Sequence, residues 1–189
     1  MGGTFDPIHL GHLRAAESAR EALGLDRVAF LPAGVPPHRG APLSPALDRY
    51  AMVCLATASN PQFVASDFEL QREGPSFTVD TVAALLAERP GDSLTVIVGS
   101  DTFPEMPTWR DPARLFALAE VAVVDRPGEA ERPAPTPPFP GARGVRRVSG
   151  PGLAVSATAV RERVRRGESV RYLVPETVAD YIAKRRLYS

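Results

Sequence analysis

The strongest constraint on this chain is an alternation. Five short β-branched or apolar runs, Arg27 to Ala33, Phe63 to Ser66, Leu94 to Gly99, Glu120 to Asp125 and Gly144 to Gly150, are separated by segments with helical punctuation. "LGHLRAAESAREALG" closes on Gly24, a helix-stopping residue, and "SPALDRYAMVCLATA" opens with Ser44 as N-cap and Pro45 at the first helical position. "TVDTVAALLAERP" and "DPARLFALA" follow the same style, with Thr78 and Asp111 as caps. Strand and helix alternating at this spacing predict an α/β chain: a Rossmann-like, doubly wound parallel sheet with helices on both faces. Residues 126–144 are too rich in proline and glycine for regular structure and are expected to form a surface loop. Beyond the last strand a small C-terminal helical portion, residues 153–189, is expected. One helix runs from about Ala157 to Arg166 and stops at Gly167; another opens at Pro175. A chain of 189 residues can bury a real core, and a single domain over 1–189 is the expectation.

Charge narrows the partners. The 22 basic and 22 acidic residues balance, so no global field recruits nucleic acid or an anionic membrane, and neither is expected as a partner. From Gly141 to Ser189, eleven Lys or Arg stand against four Asp or Glu; solvated helix faces account for much of this, and a local anion site is compatible with it. Cys54, the single cysteine, lies in the apolar run "YAMVCLATA" and reads as a small core residue without a disulfide partner. That composition suits a reducing compartment, and a cytoplasmic location is the expectation. No apolar stretch approaches the roughly 20 residues needed to span a bilayer.

The opening residues, "MGGTFDPIHLGH", carry the most chemistry. In open α/β sheets, ligands collect beyond the carboxyl ends of strands, where glycine turns and helix N-termini accept anions. Gly2 and Gly3 would let the backbone approach an anion closely, Asp6-Pro7 would form the turn, and His9 and His12 would open the helix on one face. Taken alone, the two histidines are open to three readings: surface residues, zinc ligands at a spacing that lacks a third partner, or phosphate ligands. Glycines, turn and histidines together at a strand-to-helix junction favour phosphate handling. The pair should follow a central strand of about five apolar residues, yet only Met1 precedes it. The expectation is that this strand is encoded upstream of Met1, because an open slot would leave two neighbouring strands' backbone groups unpaired.

"GGTFDPIHLGH" resembles the GxFDPxHxGH motif of the nucleotidyltransferase superfamily, whose members transfer a nucleoside monophosphate and release pyrophosphate. "PPHR" (Pro36 to Arg39), "GPSFTVDT" (Gly74 to Thr81) and "GSDTFPEMPTW" (Gly99 to Trp109) narrow the resemblance to the bacterial nicotinate-nucleotide adenylyltransferases. "VSATAVR" (Val155 to Arg161) is similar to the superfamily's C-terminal ISSTxIR, with Ala157 in place of one hydroxyl. The resemblance implies adenylyl transfer from ATP to nicotinate mononucleotide, with Mg²⁺ carried on the phosphates and no protein metal site. It implies His9, His12 and Arg161 as catalytic residues. With these, Gly2, Gly3, Thr4, Phe5, Gly99, Asp101, Ser156 and Thr158 would bind ATP. His38 and Arg39 would take the phosphate of the mononucleotide, and Ser76, Phe77 and Thr78 would bind its nicotinate end, with the backbone N–H groups of Phe77 and Thr78 donating to the carboxylate. Trp109 would stack on the pyridine ring.

Each assignment has a plainer counterpart. "PPHR" alone also reads as a solvated proline loop, Trp109 as a core tryptophan in a loop, and Asp101 and Thr78 as helix caps. A phosphopantetheine adenylyltransferase shares the first and last motifs but leaves "PPHR" and Trp109 without a purpose. An aminoacyl-tRNA synthetase would need a lysine loop, and the sole lysine is Lys184. A non-catalytic nucleotide-binding homologue would have no use for His9, His12 and Arg161 together. Assembly into a homo-oligomer is left open.

Overall fold

The computed structural model describes residues 1–36, 42–128 and 135–189. Among the described residues, six strands, β1 (Gly2–Gly3), β2 (Val28–Pro32), β3 (Phe63–Ala65), β4 (Thr95–Gly99), β5 (Glu120–Val124) and β6 (Val145–Val148), are interspersed with helices. These are α1 (Leu10–Leu23), α2 (Ala46–Thr57), α3 (Thr78–Glu88), α4 (Pro112–Leu118), α5 (Ala157–Arg165) and α6 (Glu176–Arg185). All pairings between these strands are parallel: β1 with β2, β2 with β3, β4 with β5 and β5 with β6.

The doubly wound arrangement is written in the period-2 alternation of the central strands. Val96 and Val98 of β4, with Val121 and Val123 of β5, pack against α3 and α4 through Val79, Val82, Leu115 and Phe116. Ile97, Ala122 and Val124 face the opposite way, into a core shared with α1, α2, α5 and α6 that includes Ala16, Met52, Val53, Val160, Val178 and Ile182. Fully burying one such aliphatic side chain stabilises by about 1.5–3 kcal/mol, which is why strands covered on both faces read as continuous apolar runs.

The parallel sheet is not one unbroken ladder. It divides into a β1-β2-β3 half and a β4-β5-β6 half, with β1 approaching β4 between them. β1 spans two residues, and Met1 and Gly3 use their carbonyls on Leu31 and Ala33 of the β2 side. Laid side by side the order is β3-β2-β1-β4-β5-β6, which puts the switch point of the winding at the carboxyl ends of β1 and β4.

Several local expectations are corrected. Ser44 does not cap α2: Pro45 occupies that position, and the Ser44 hydroxyl instead donates to the Asp6 carboxylate, a charged and hence stronger acceptor. Thr78 is the first helical residue of α3, with Phe77 at the N-cap and no side-chain cap bond. Asp111 does precede α4, but with φ of 42° its carboxylate makes no cap bond. The residues before Trp109 form a 3-10 helix, Phe103–Thr108, where a loop was expected, and Trp109 follows it in extended conformation. Cys54 is only partly buried.

Candidate active site

The turn from β1 into α1 builds the first wall. His9 takes the N-cap position of α1 in extended conformation, and His12 stands at N3. The two bond reciprocally: His12 N–H donates to His9 Nδ1 at 3.3 Å, and His9 N–H donates to His12 Nδ1 at 3.2 Å. The imidazoles stack with centroids 3.6 Å apart and planes 21° from parallel, and Phe5 meets His12 edge-on at 5.1 Å. A neutral imidazole that accepts at Nδ1 carries its proton on Nε2, so both rings present an Nε2 donor. Burial, aided by the positive charge of Arg126, depresses the His9 pKa to about 4, which keeps that ring neutral at pH 7. Gly11 is dictated by the same stack. A Cβ there would lie 3.0 Å from His9 Nδ1 and 3.3 Å from the Leu153 carbonyl. Gly3 is held by packing too, since a Cβ would meet the Phe5 ring at 3.1 Å, whereas one on Gly2 would point into open space.

The N-terminus of α5 forms a second wall. Ser156 caps it, accepting from Ala159 N–H at 3.2 Å. Arg161 donates from Nη1 to the Asp6 carbonyl at 2.8 Å and from Nη2 to Thr158 Oγ1 at 3.2 Å, and its buried Nε has no acceptor among the described residues. An α5 guanidinium is thereby fixed to the α1 turn. At the end of β4 the Asp101 carboxylate folds over Gly99, where a Cβ would come within 2.4 Å of its Oδ1. It pairs with Arg126. Burial pushes the Asp101 carboxyl upward, but the Arg126 hydrogen bond and charge outweigh it and hold the carboxyl below its ordinary range.

A cavity of about 710 Å³ joins these walls to a third region. Ser76, Phe77, Thr78 and Trp109 line it together with Gly2, Gly3, Thr4, Phe5, His9, His12, Gly99, Asp101, Ser156, Thr158 and Arg161. The first turn of α3 has N–H groups with no intrahelical acceptor, and it opens on this space. Ser76 is anchored to the loop after β2, its N–H donating to the Val35 carbonyl at 3.0 Å and its hydroxyl accepting from Gly34 N–H at 3.1 Å. His38 and Arg39 lie outside the described residues.

Sequence reasoning passed over four contributors. Arg126, one position past the Asp125 end of its apolar run, pairs with Asp101 and adds to the effect of burial on His9. Glu69 lines the cavity and is almost fully buried; it accepts from Thr81 Oγ1 at 2.8 Å, and burial pushes its carboxyl upward. Arg49 is buried beneath the strand ends, donating to the carbonyls of Thr4 at 2.8 Å, Gly34 at 3.2 Å and Ser44 at 3.4 Å. An arginine within an apolar helix was its only sequence signal. Asp6, read as a turn residue, has a buried carboxylate.

Residues 1–163 match the family model described as Cytidylyltransferase-like. A Thermus thermophilus protein named "Probable nicotinate-nucleotide adenylyltransferase" is 45% identical over 188 residues, covering 100% of this chain and 97% of its own. The chain belongs to the nicotinate-nucleotide adenylyltransferase family. A Streptomyces coelicolor adenylyltransferase of the same name is 46% identical over 191 residues, covering 100% of this chain and 98% of its own. The fold is likewise shared with a solved structure, Plasmodium falciparum nicotinic acid mononucleotide adenylyltransferase complexed with NaAD. Its TM-score is 0.80 at 15% identity, over 99% of this chain and 94% of that one. The family match takes in the whole cavity, from Gly2 on β1 to Arg161 on α5.

Proposed function

We propose that this adenylyltransferase joins the AMP moiety of MgATP to nicotinate mononucleotide, giving nicotinate adenine dinucleotide and pyrophosphate. The observation that carries the reading is that one cavity is lined by the histidine pair, the α5 N-terminus, the α3 N-terminus and Trp109. The first two suit phosphates, and the last two suit a flat ring bearing an anion. The names of the relatives support the same substrates.

The reaction is an in-line displacement. A phosphate oxygen of the mononucleotide bonds to the α-phosphorus of ATP, the bond from that phosphorus to the bridging oxygen breaks, and its electrons leave with pyrophosphate. The protein's part is to align two anions and to meet charge as it builds on the leaving group. His9 and His12 present Nε2 donors toward the triphosphate, and Arg161 with the Ser156 hydroxyl and the α5 N-terminus receives its β- and γ-phosphates. Asp101 and Gly99 take the nucleoside part of ATP. On the other side, backbone N–H groups at Phe77 and Thr78 bind the nicotinate carboxylate, Trp109 stacks on the pyridine ring, and His38 and Arg39 hold the mononucleotide phosphate. The donors around the histidine pair are N–H, O–H and guanidinium groups, which suit metal-bound phosphates rather than a bare cation. Mg²⁺ therefore arrives as part of the substrate.

The test is pyrophosphate release from ATP and Mg²⁺ with nicotinate mononucleotide, nicotinamide mononucleotide or phosphopantetheine. Fastest turnover with nicotinate mononucleotide supports the reading; turnover with phosphopantetheine alone contradicts it.

A further inference from the structure

Asp6 is where four distant parts of the chain meet. Its carboxylate, 5% exposed, accepts Leu43 N–H on Oδ2 at 2.8 Å, and on Oδ1 it accepts the Ser44 hydroxyl and the Tyr188 phenol, the latter at 2.7 Å. The two hydroxyls are 3.0 Å from each other. Its main-chain carbonyl meanwhile takes Arg161 at 2.8 Å. The partner farthest away in sequence is Tyr188, which α6 delivers. Arg186 at φ 51° and Tyr188 at φ 67° turn the chain back at the end of that helix, and the ring enters the core 9% exposed.

We propose that Tyr188 is a positioning residue of the phosphate-binding turn, acting through the Asp6 carboxylate. A buried carboxylate needs its donors, and each one removed leaves it freer to shift or to seek another partner. Movement of Asp6 is transmitted in two directions. Along the chain it reaches His9 three positions on, through the turn that sets the N-cap of α1. Through the carbonyl it reaches Arg161. The phenol hydroxyl thus steadies two groups that line the cavity, without touching substrate. Burial pushes the phenol pKa far above its ordinary value, so the hydroxyl keeps its proton as a donor throughout the working range.

The inference rests on the adenylyl-transfer reading, and its test separates the two. Tyr188→Phe keeps the ring and removes only the donor. Binding contacts stay, but alignment is realised only in the transition state. The variant is therefore expected to lose about tenfold in kcat while KM for either substrate changes less than threefold. The chain has three histidines, so an imidazole nitrogen–proton NMR spectrum resolves them, and the His9 and His12 signals are expected to move at temperatures where the variant is fully folded. Ser44→Ala, which removes the other hydroxyl on the same oxygen, is expected to move them too, and decides the matter should Tyr188→Phe not fold. Unmoved histidine signals, or a folded Tyr188→Phe with parental kcat and merely a lower Tm, would overturn the proposal. A parent enzyme inactive on nicotinate mononucleotide would overturn the functional reading instead, leaving the histidine spectrum to decide the role of Tyr188.

Discussion

His9 and His12 hold each other by their backbones. Each ring's Nδ1 accepts the other residue's N–H, and the rings stack 3.6 Å apart. This closes the first turn of α1 and leaves the proton of each neutral ring on Nε2. It also makes a charge on His9 costly, since the ring is buried and near Arg126.

Acid should expose that cost. Unfolded, His9 takes a proton near pH 6.5; folded, it does so only near pH 4. Between those values the unfolded chain holds more protons, so stability falls as pH drops through the window and stops falling below about 4. The full difference is on the order of 3 kcal/mol. Urea unfolding of the parent and of His9→Gln at pH 7 and pH 4 checks it. The parent should lose about 3 kcal/mol more than the variant; equal losses would contradict a neutral buried His9.

Arg49→Met keeps the aliphatic bulk but strips the donors from the Thr4, Gly34 and Ser44 carbonyls. A loss of about 3–5 kcal/mol, or roughly 10 °C in Tm, is expected from leaving buried acceptors and the nearby Asp6 charge uncompensated. Calorimetry measures it directly, and a change of less than about 1 kcal/mol would show that Arg49 is not holding the strand ends together.

Trp109→Ala should act on binding. Stacking on a pyridine ring is similar in ground and transition states, so KM for the mononucleotide should rise with little change in kcat. A fall in kcat at constant KM would place Trp109 elsewhere in the mechanism.

If backbone N–H groups at the start of α3 bind the nicotinate carboxylate, they favour the acid over the amide. Each charge-assisted bond that matches the acid and not the amide contributes roughly 1.5–3 kcal/mol. The kcat/KM ratio of nicotinate to nicotinamide mononucleotide should therefore exceed tenfold. A ratio near one would remove the α3 N-terminus from recognition.

What was legible in the sequence was local. Val96, Val98 and Ile97 announce a strand covered on both faces because side chains alternate within a few residues. The histidine turn and the Gly24 stop depend on spacings of one helical turn or less, as motifs do. Tyr188 reaches Asp6 across 182 positions, and Ser44 turns away from its own helix toward that carboxylate. No local pattern encodes such partnerships; they follow from which loops the fold brings to the β1 and β4 ends. Arg126 escaped notice for the same reason, as its effect on His9 depends on the β1 turn and the β5 end being adjacent.

The most direct measurement is steady-state kinetics on His12→Ala, with circular dichroism to confirm folding. If His12 Nε2 meets charge as the bridging oxygen leaves, its loss should lower kcat about 10²–10³-fold while ATP binding weakens far less. A folded His12→Ala that turns over like the parent would contradict the account and reduce the reciprocal histidine pair to a helix cap.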